Sequence, residues 1–223
     1  EVTDPGHRHR SHCVGFCPGD RITAEDTPEY SAGVRKAIEK RHAAGSTTSC
    51  TLDLAWDAQM LARLYDPGKA MELLKTFFAN HALGNLLVSL CQWREDGGLR
   101  WFGEKKIYQI EAGLGAMAAI TEMLLQDRRD LIRLLPALPS AWPEGQVSGL
   151  RTRNGFEVDL TWREGRLVEA RLRCARGGIC RVKCFTGQRL QVLGLEGRIK
   201  TTHKDDEVRF GAEAGREYLV KPM

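Results

Sequence analysis

The hydrophobic pattern of this chain changes its period near residue 145, and that change limits the possible folds more than any other feature. Before it, apolar residues recur at helical spacing, as Tyr30, Val34 and Ile38 do. After it, apolar and polar residues alternate, which is typical of half-buried strands. The alternation runs through Phe156, Val158, Leu160 and Trp162, turns at Arg163-Glu164-Gly165, and returns through Val168, Ala170 and Leu172. We therefore predict an α+β protein, with helices over residues 1–145 and a small, antiparallel, β-sandwich-like domain over residues 146–223.

The first part of the chain carries the signals of several helices. Thr27 and Pro28 suit the N-cap and first position of a helix that stops near Gly45. A second helix, at about 52–65, is apolar on nearly every side and is expected to be buried. A third follows the turn at 66–68, and a fourth apolar segment spans about 83–91. The small residues of AGLGAMAAITEMLLQ predict a last helix that packs tightly against a neighbour.

The bulk composition excludes some function classes. The 223 residues carry a net charge of +4 with no run of five basic residues, which argues against a nucleic-acid partner. The longest apolar stretch, LGNLLVSLC, is far shorter than a membrane span, so no membrane partner is expected. The chain opens without a leader or an initiator Met, and we expect a fragment of a longer protein. No cofactor is expected.

Seven cysteines are present, and none of them forms a CxxC pair. Cys180 and Cys184 lie in a segment with strand character, where residues four apart share a face. Buried free thiols are the favoured interpretation, with a disulfide framework or a zinc site as the alternatives.

The segment GHRHRSH, residues 6–12, concentrates the polar chemistry of the chain. A metal site built on His7, His9 and His12 is disfavoured, because two arginines lie between them with no carboxylate nearby in sequence. No metal ligands are therefore assigned. Two interpretations stay open on spacing alone: a structural loop held by buried His and Arg, or a cluster of donors for a polar ligand.

Three blocks of sequence resemble the C-terminal part of glycoside hydrolase family 95, whose members are α-L-fucosidases and some α-L-galactosidases. These blocks are PGHRHRSHCVGFCPGDRIT, YQIEAGLGAMAAITEMLLQ and IRLLPALPSAWPEGQVSGLRTRNGFEVDLTWREGRLVEARL. The resemblance implies that the helices close an (α/α)6 barrel and that a C-terminal β-domain follows. It also implies an inverting hydrolase of α-linked fucosyl glycans, in which one carboxyl group protonates the leaving oxygen and another activates water.

The resemblance further implies roles for particular residues. Arg8 and His9 match residues that hydrogen-bond the sugar hydroxyls. Glu111, in QIEAGLG, stands where the family has its base Asp, so it is the candidate general base. The extra methylene moves the carboxylate by roughly 1.5 Å, an error that can reduce rates about a hundredfold. The family's general acid lies upstream of GHRHRSH, so the missing N-terminal half of the protein is expected to supply it.

Several positions depart from the family pattern. Ala112 and Gly113 replace a Gly and an Asn, and residues 51–53 read TLD where the family has Gly-Trp-Ser. These departures lie near the expected chemistry, and they leave two rival hypotheses. One is a catalytically degenerate, carbohydrate-binding remnant of the family. The other is an incomplete gene product without independent function. For Glu111 itself a second interpretation stays open beside the general base: a carboxylate in the first turn of a helix is favoured by the helix dipole.

Overall fold

The computed structural model describes residues 6–7, 9–45, 51–90, 108–128, 130–195 and 197–223. Its contacts divide the chain into two compact units, Glu1–Ile120 and Thr121–Met223. Helices dominate the first unit and antiparallel-rich sheets the second, so the predicted α+β class is confirmed. The division by contacts falls about 25 residues before the change of hydrophobic period. The domain boundary at residue 145 stays a prediction.

Four α-helices are described in the first part of the chain, and a 3-10 turn, Ser11–Cys13, precedes them. They are α1, Pro28–Ala43; α2, Thr51–Arg63; α3, Pro67–His81; and α4, Ile110–Leu124. Thr27 is the residue before α1 and Pro28 its first residue, as the sequence predicts. Among the described residues, no helix has the length and apolar character that a membrane span requires.

The connection from α2 to α3 is a tight turn. Tyr65 adopts a left-handed conformation with φ of 57°, which ends α2. Asp66 then caps α3, because its side chain accepts a hydrogen bond from the backbone N–H of Lys69 at 3.1 Å. The turn brings α3 back along α2, so the short loop makes the two helices antiparallel neighbours.

The apolar segment at 83–90 is not helical. A β-bridge joins Ala82 to Val88, and the backbone N–H of Leu83 donates to the carbonyl of Leu87 at 2.8 Å. Leu86 is left-handed, and Asn85 accepts a hydrogen bond from Leu87 N–H, so the Gly84-Asn85 pair sets a turn that breaks any helix. Cys91, the end of this segment in the sequence prediction, lies outside the described residues.

Eleven strands are described, and they form two sheets. Their bounds are β1, Leu125–Arg128; β2, Leu131–Leu134; β3, Gly145–Arg151; β4, Phe156–Arg163; β5, Arg166–Cys174; β6, Gly178–Cys184; β7, Leu190–Gly194; β8, Gly197–Arg198; β9, Thr202–Lys204; β10, Glu207–Ala212; and β11, Glu217–Pro222. One sheet has the order β1-β2-β6-β10-β9 and the other β3-β4-β5-β11-β7-β8. All described pairings are antiparallel except β2 with β6, which is parallel.

The predicted hairpin is β4–β5, and its turn uses Glu164 and Gly165, both left-handed, as a two-residue hairpin turn requires. The four predicted inward residues of β4 are buried. On β5 the prediction for Val168 is wrong, because its side chain is 44% exposed and Leu167 is buried instead. The register shifts between Thr161 and Trp162, and this bulge moves the inward position by one residue.

The core of the second unit contains thiols from both sheets. Cys174 on β5 and Cys180 and Cys184 on β6 are all buried and free. Burial raises the pKa of the Cys180 thiol, and nearby Cys174 raises it further. The described cysteines, which also include Cys13 and Cys17, are therefore buried free thiols, as the favoured interpretation predicts. Cys50 and Cys91 lie outside the described residues.

Candidate functional site

The histidine-arginine segment is a loop that packs on the helices of the first unit. Arg8 lies outside the described residues. His9 is exposed, its backbone N–H donates to Nδ1 of His7 at 3.2 Å, and the two rings meet edge to face at 4.9 Å. The imidazoles of His7 and His9 therefore form one surface cluster in this unit.

Arg10, by contrast, is completely buried. Its Nε and Nη2 atoms donate to the two carboxylate oxygens of Asp57 on α2, at 2.7 and 2.6 Å. Its Nη1 atom donates to the carbonyl of His7 at 2.7 Å. A bidentate pair of this geometry fixes both position and orientation. Arg10 thus anchors the loop that carries His9, so the structural interpretation of GHRHRSH holds for this residue.

Two residues of α1 extend the same cluster. Nη1 of Arg41 donates to the carbonyl of His7 at 2.7 Å, and Nε2 of His42 lies 2.8 Å from Oδ2 of Asp57.

Burial lowers the pKa of His12, and the positive charges of Arg41 and Arg10 lower it further. The lowered pKa of His12 favours the neutral imidazole, in which one ring nitrogen can accept a hydrogen bond.

Asp53 is a second buried carboxyl on α2, one turn before Asp57. It is 1% exposed, and its Oδ2 atom has no hydrogen-bond partner among the described residues. Burial raises the pKa of Asp53 to about 7, although nearby Arg10 acts to lower it. A carboxyl group with this pKa exchanges its proton near neutrality, the range in which catalytic acids and bases work.

Sequence reasoning missed Asp53, Asp57, Arg10 and His42 as members of one cluster. A signal was present, because Asp53 and Asp57 are the two acidic residues of a helix that is otherwise apolar on nearly every side. Acidic side chains are rarely buried unless they are paired, so two of them at i and i+4 predict a cation from elsewhere in the chain. The sequence does not show which cation this is, because Arg10 and Asp57 are 47 positions apart.

Glu111 lies in the first turn of α4, and its side chain is exposed. The helix start is fixed by the backbone N–H of Gln109, which donates to the carbonyl of Val88 at 2.9 Å. The first residue of α2 is fixed in the same way, because the N–H of Thr51 donates to the carbonyl of Leu90 at 3.1 Å. The segment 88–90 therefore holds the N-termini of both α2 and α4.

The small residues of α4 permit close packing against α2, as the sequence predicts. A Cβ atom at Gly115 would lie 3.1 Å from the Cβ of Ala55 and 3.4 Å from Nε2 of Gln59. Ala112, Ala116 and Ala119 are buried along the same helix. Among the described residues, no group of three His, Cys, Asp or Glu side chains is arranged to hold a metal ion.

Both parts of the chain match domains of the glycoside hydrolases. Residues 1–124 match the family described as "Glycosyl hydrolase family 95 catalytic domain". Residues 126–220 match "Glycoside hydrolase family 95, C-terminal domain". The chain therefore belongs to glycoside hydrolase family 95.

Curated relatives agree with this assignment. "Alpha-L-fucosidase 2" of Arabidopsis thaliana is 39% identical over 166 residues, which are 73% of this chain and 18% of that protein. "Probable alpha-fucosidase A" of Aspergillus oryzae is 32% identical over 177 residues, 73% of this chain and 23% of that protein. The chain thus spans about a fifth of the length of these relatives. Among solved structures, a GH127 β-arabinofuranosidase aligns with 78% of this chain and 31% of its own, at 10% identity and a TM-score of 0.34, too low to carry an argument.

Proposed function

We propose that this chain is the C-terminal part of an inverting, α-L-fucosidase-like glycoside hydrolase that acts on α-linked fucosyl glycans. The observation that carries the proposal is the match to both domains of family 95 in consecutive order, together with relatives named as fucosidases. In this proposal α1 to α4 are the closing helices of an (α/α)6 barrel. The rest of the barrel and the general acid come from sequence N-terminal to residue 1.

Glu111 is the proposed general base. Its carboxylate is exposed in the first turn of α4, at the positive end of the helix dipole. No ion pair to this carboxylate occurs among the described residues, so its charge is available to polarise a water molecule. In an inverting enzyme that water attacks the sugar from the face opposite the leaving group, while a separate acid protonates the leaving oxygen.

Arg8 and His9 are the proposed sugar-binding residues. The geometry around Arg10 supports this role, because the buried pair with Asp57 and the bond to the carbonyl of His7 hold the loop on both sides of these residues. Anchoring on both sides restricts the positions of His9, which reduces the entropy lost when a sugar binds. Arg10 and Asp57 are positioning residues in this account.

The role of Glu111 is tested in the complete protein by measuring fucose release from an α-fucoside after a Glu111→Gln substitution. Loss of the base is expected to lower kcat about 10²- to 10⁴-fold. Glu29→Gln is a matched control, because Glu29 is an exposed glutamate in the first turn of α1. It is expected to leave kcat unchanged. An unchanged kcat in Glu111→Gln would contradict the base assignment.

A second candidate function is carbohydrate binding without hydrolysis. The observation that favours it is the local sequence Glu111-Ala112-Gly113, which replaces the base and two neighbours of the family pattern. Calorimetric titration of the complete protein with a fucosylated oligosaccharide separates the two functions. Heat of binding without any fucose release favours the binding remnant, and turnover of the same oligosaccharide favours the hydrolase.

A further inference from the structure

An open groove of about 700 Å³ lies on the second unit, beside the ends of β7 and β10. Four cations line it: Arg198, Lys200, Arg209 and Arg216. Exposed apolar side chains lie beside them, Leu195 at 82% and Ile179 at 52% exposure. We name the groove that these residues line the cationic groove.

The two acidic residues that line the cationic groove, Glu213 and Glu217, are paired with cations other than Arg198, Lys200 and Arg209. Nε of Arg216 lies 3.5 Å from a carboxylate oxygen of Glu213. Glu217 pairs at 2.6 Å with Arg171, which does not line the groove. Within the part of the chain that the structure describes, Arg198, Lys200 and Arg209 have no ion pair. The groove therefore presents an excess of positive charge to solvent.

The position of Arg209 strengthens this conclusion. In the register of β10 with β6, Arg209 lies directly opposite Arg181. Like charges in this position destabilise a sheet unless an anion compensates them. Glu207, two residues along β10, pairs with Arg181 at 2.6 and 2.8 Å through both carboxylate oxygens. The acid nearest to Arg209 on its own strand is thus used by Arg181.

A second groove, of about 670 Å³, adjoins the first and shares Arg209, Thr202 and Ile179 with it. Lys204, on the edge strand β9, lines this second groove. Arg209 therefore stands where the two grooves join, and the second groove also contains the carboxyl groups of Asp130 and of Glu207, the latter paired with Arg181. A compact anion would fill only one of these grooves, whereas an extended molecule with repeated negative charges would occupy both.

We propose that the cationic groove binds an acidic oligosaccharide, with Arg209, Arg198 and Lys200 pairing with carboxylates on successive uronate residues. Planar guanidinium groups suit carboxylates, since they can form two parallel hydrogen bonds. Leu195 and Ile179 supply apolar surface for the C–H faces of the sugar rings. The choice of a saccharide rests on the proposed function, because it makes a glycan the natural ligand.

A single-stranded nucleic acid fits this surface less well. Such ligands are held by aromatic side chains on which the bases stack. Among the described residues of the second unit, no Phe, Tyr or Trp side chain is exposed, and the one exposed imidazole is that of His203, which lines the second groove but not the first. Phe210 and Tyr218, which line the groove, are buried against each other with ring centroids 5.0 Å apart.

The test is calorimetric titration of the complete protein at low salt with an oligogalacturonate, and with the same oligosaccharide fully methyl-esterified. The ester keeps the sugar rings and removes the charge. We expect the oligogalacturonate to bind, the ester to bind at least tenfold more weakly, and added salt to weaken the first interaction. Arg209→Gln should weaken binding about fivefold, as expected for loss of one exposed ion pair.

Arg163→Gln is the matched control, because Arg163 is an exposed arginine of the second unit that lines neither groove. It should bind as the unsubstituted protein does, and both variants should melt at the same temperature. Equal affinity for acid and ester, absence of oligogalacturonate binding, or unchanged binding by Arg209→Gln would each overturn the proposal. A sulfated oligosaccharide or a single-stranded oligonucleotide that binds more tightly than the oligogalacturonate, in an Arg209-dependent way, would also overturn it.

These outcomes are separable from failure of the proposed function. Titration measures binding without turnover, and Glu111→Gln is expected to keep its full affinity for the oligogalacturonate. A protein that binds the acid but releases no fucose would contradict the hydrolase and leave the cationic groove intact as a binding site.

Discussion

Removing the carboxylate of Asp57 should destabilise the protein more than most single substitutions do. The Arg10 and Asp57 side chains are each 1% exposed, and Asp57→Ala would remove the carboxylate that accepts from both Nε and Nη2 of Arg10. Breaking a buried ion pair from one side costs about 3 to 5 kcal/mol, because the remaining charge has lost its compensation. The bond from Arg10 to the carbonyl of His7 offsets only part of this cost.

The assay is urea denaturation followed by circular dichroism, since every described α-helix begins and ends within residues 28–124. Asp57→Ala should lower the free energy of unfolding by about 3 to 5 kcal/mol. The double variant Arg10→Met, Asp57→Leu removes both charges and should return the stability to within about 1 kcal/mol of the original or exceed it. A loss below about 1 kcal/mol in Asp57→Ala, the range of an exposed pair, would refute the reasoning. So would a double variant that is less stable than the single one.

Three further outcomes follow from individual side chains. Burial raises the pKa of Asp53 from an ordinary 3.8 to about 7, so the folded state binds this proton more tightly than the unfolded state does. The free energy of unfolding should therefore fall as pH rises from about 4 to about 7. Asp53→Asn should match the original protein near pH 4 and be more stable than it near pH 8 by up to roughly 4 kcal/mol. If the variant and the original protein unfold at the same urea concentration at pH 8 as well as at pH 4, the prediction is contradicted. Gly33→Ala, where the new methyl group meets nothing within 4 Å, should stabilise α1 by about 0.5 to 1 kcal/mol, whereas Gly115→Ala should give less or destabilise because it crowds Ala55. Equal changes in melting temperature for the two glycine variants would count against close packing of α4 on α2. Cys180 and Cys184, buried and with raised pKa values, should resist alkylation by iodoacetamide in the folded protein and react in urea; rapid labelling of either in native buffer would show that this core is open.

Local signals in the sequence predict the elements whose stabilising contacts are close in the chain. Helix α1 begins at Pro28 because proline is favoured in the first turn, and the β4–β5 hairpin turns at Glu164 and Gly165 because glycine tolerates a left-handed conformation. The alternation of apolar and polar residues within β4 is enough to predict which of its side chains are buried. Even here the bulge at Val168 was not predicted, since it depends on how β4 and β5 pair.

Contacts distant in sequence account for what sequence reasoning missed. Strand β2 pairs in parallel with β6, about 50 residues later in the chain. Because its partner is so distant in sequence, the local pattern of β2 did not predict a strand. The candidate site follows the same rule. The role of Arg10 is decided by Asp57, 47 positions away, and the environment of Asp53 by both. Arg8 and His9 were assigned by family resemblance alone, and their roles stay predictions.

The central claim is that this chain contributes Glu111 as the base of an inverting fucosidase. The most direct measurement is proton NMR of an α-fucoside during hydrolysis by the complete protein, recorded before the released sugar mutarotates. We expect β-fucose to appear first, and we expect Glu111→Gln to abolish its appearance while Glu29→Gln does not. Initial release of α-fucose, or no release by a folded complete protein, would contradict it.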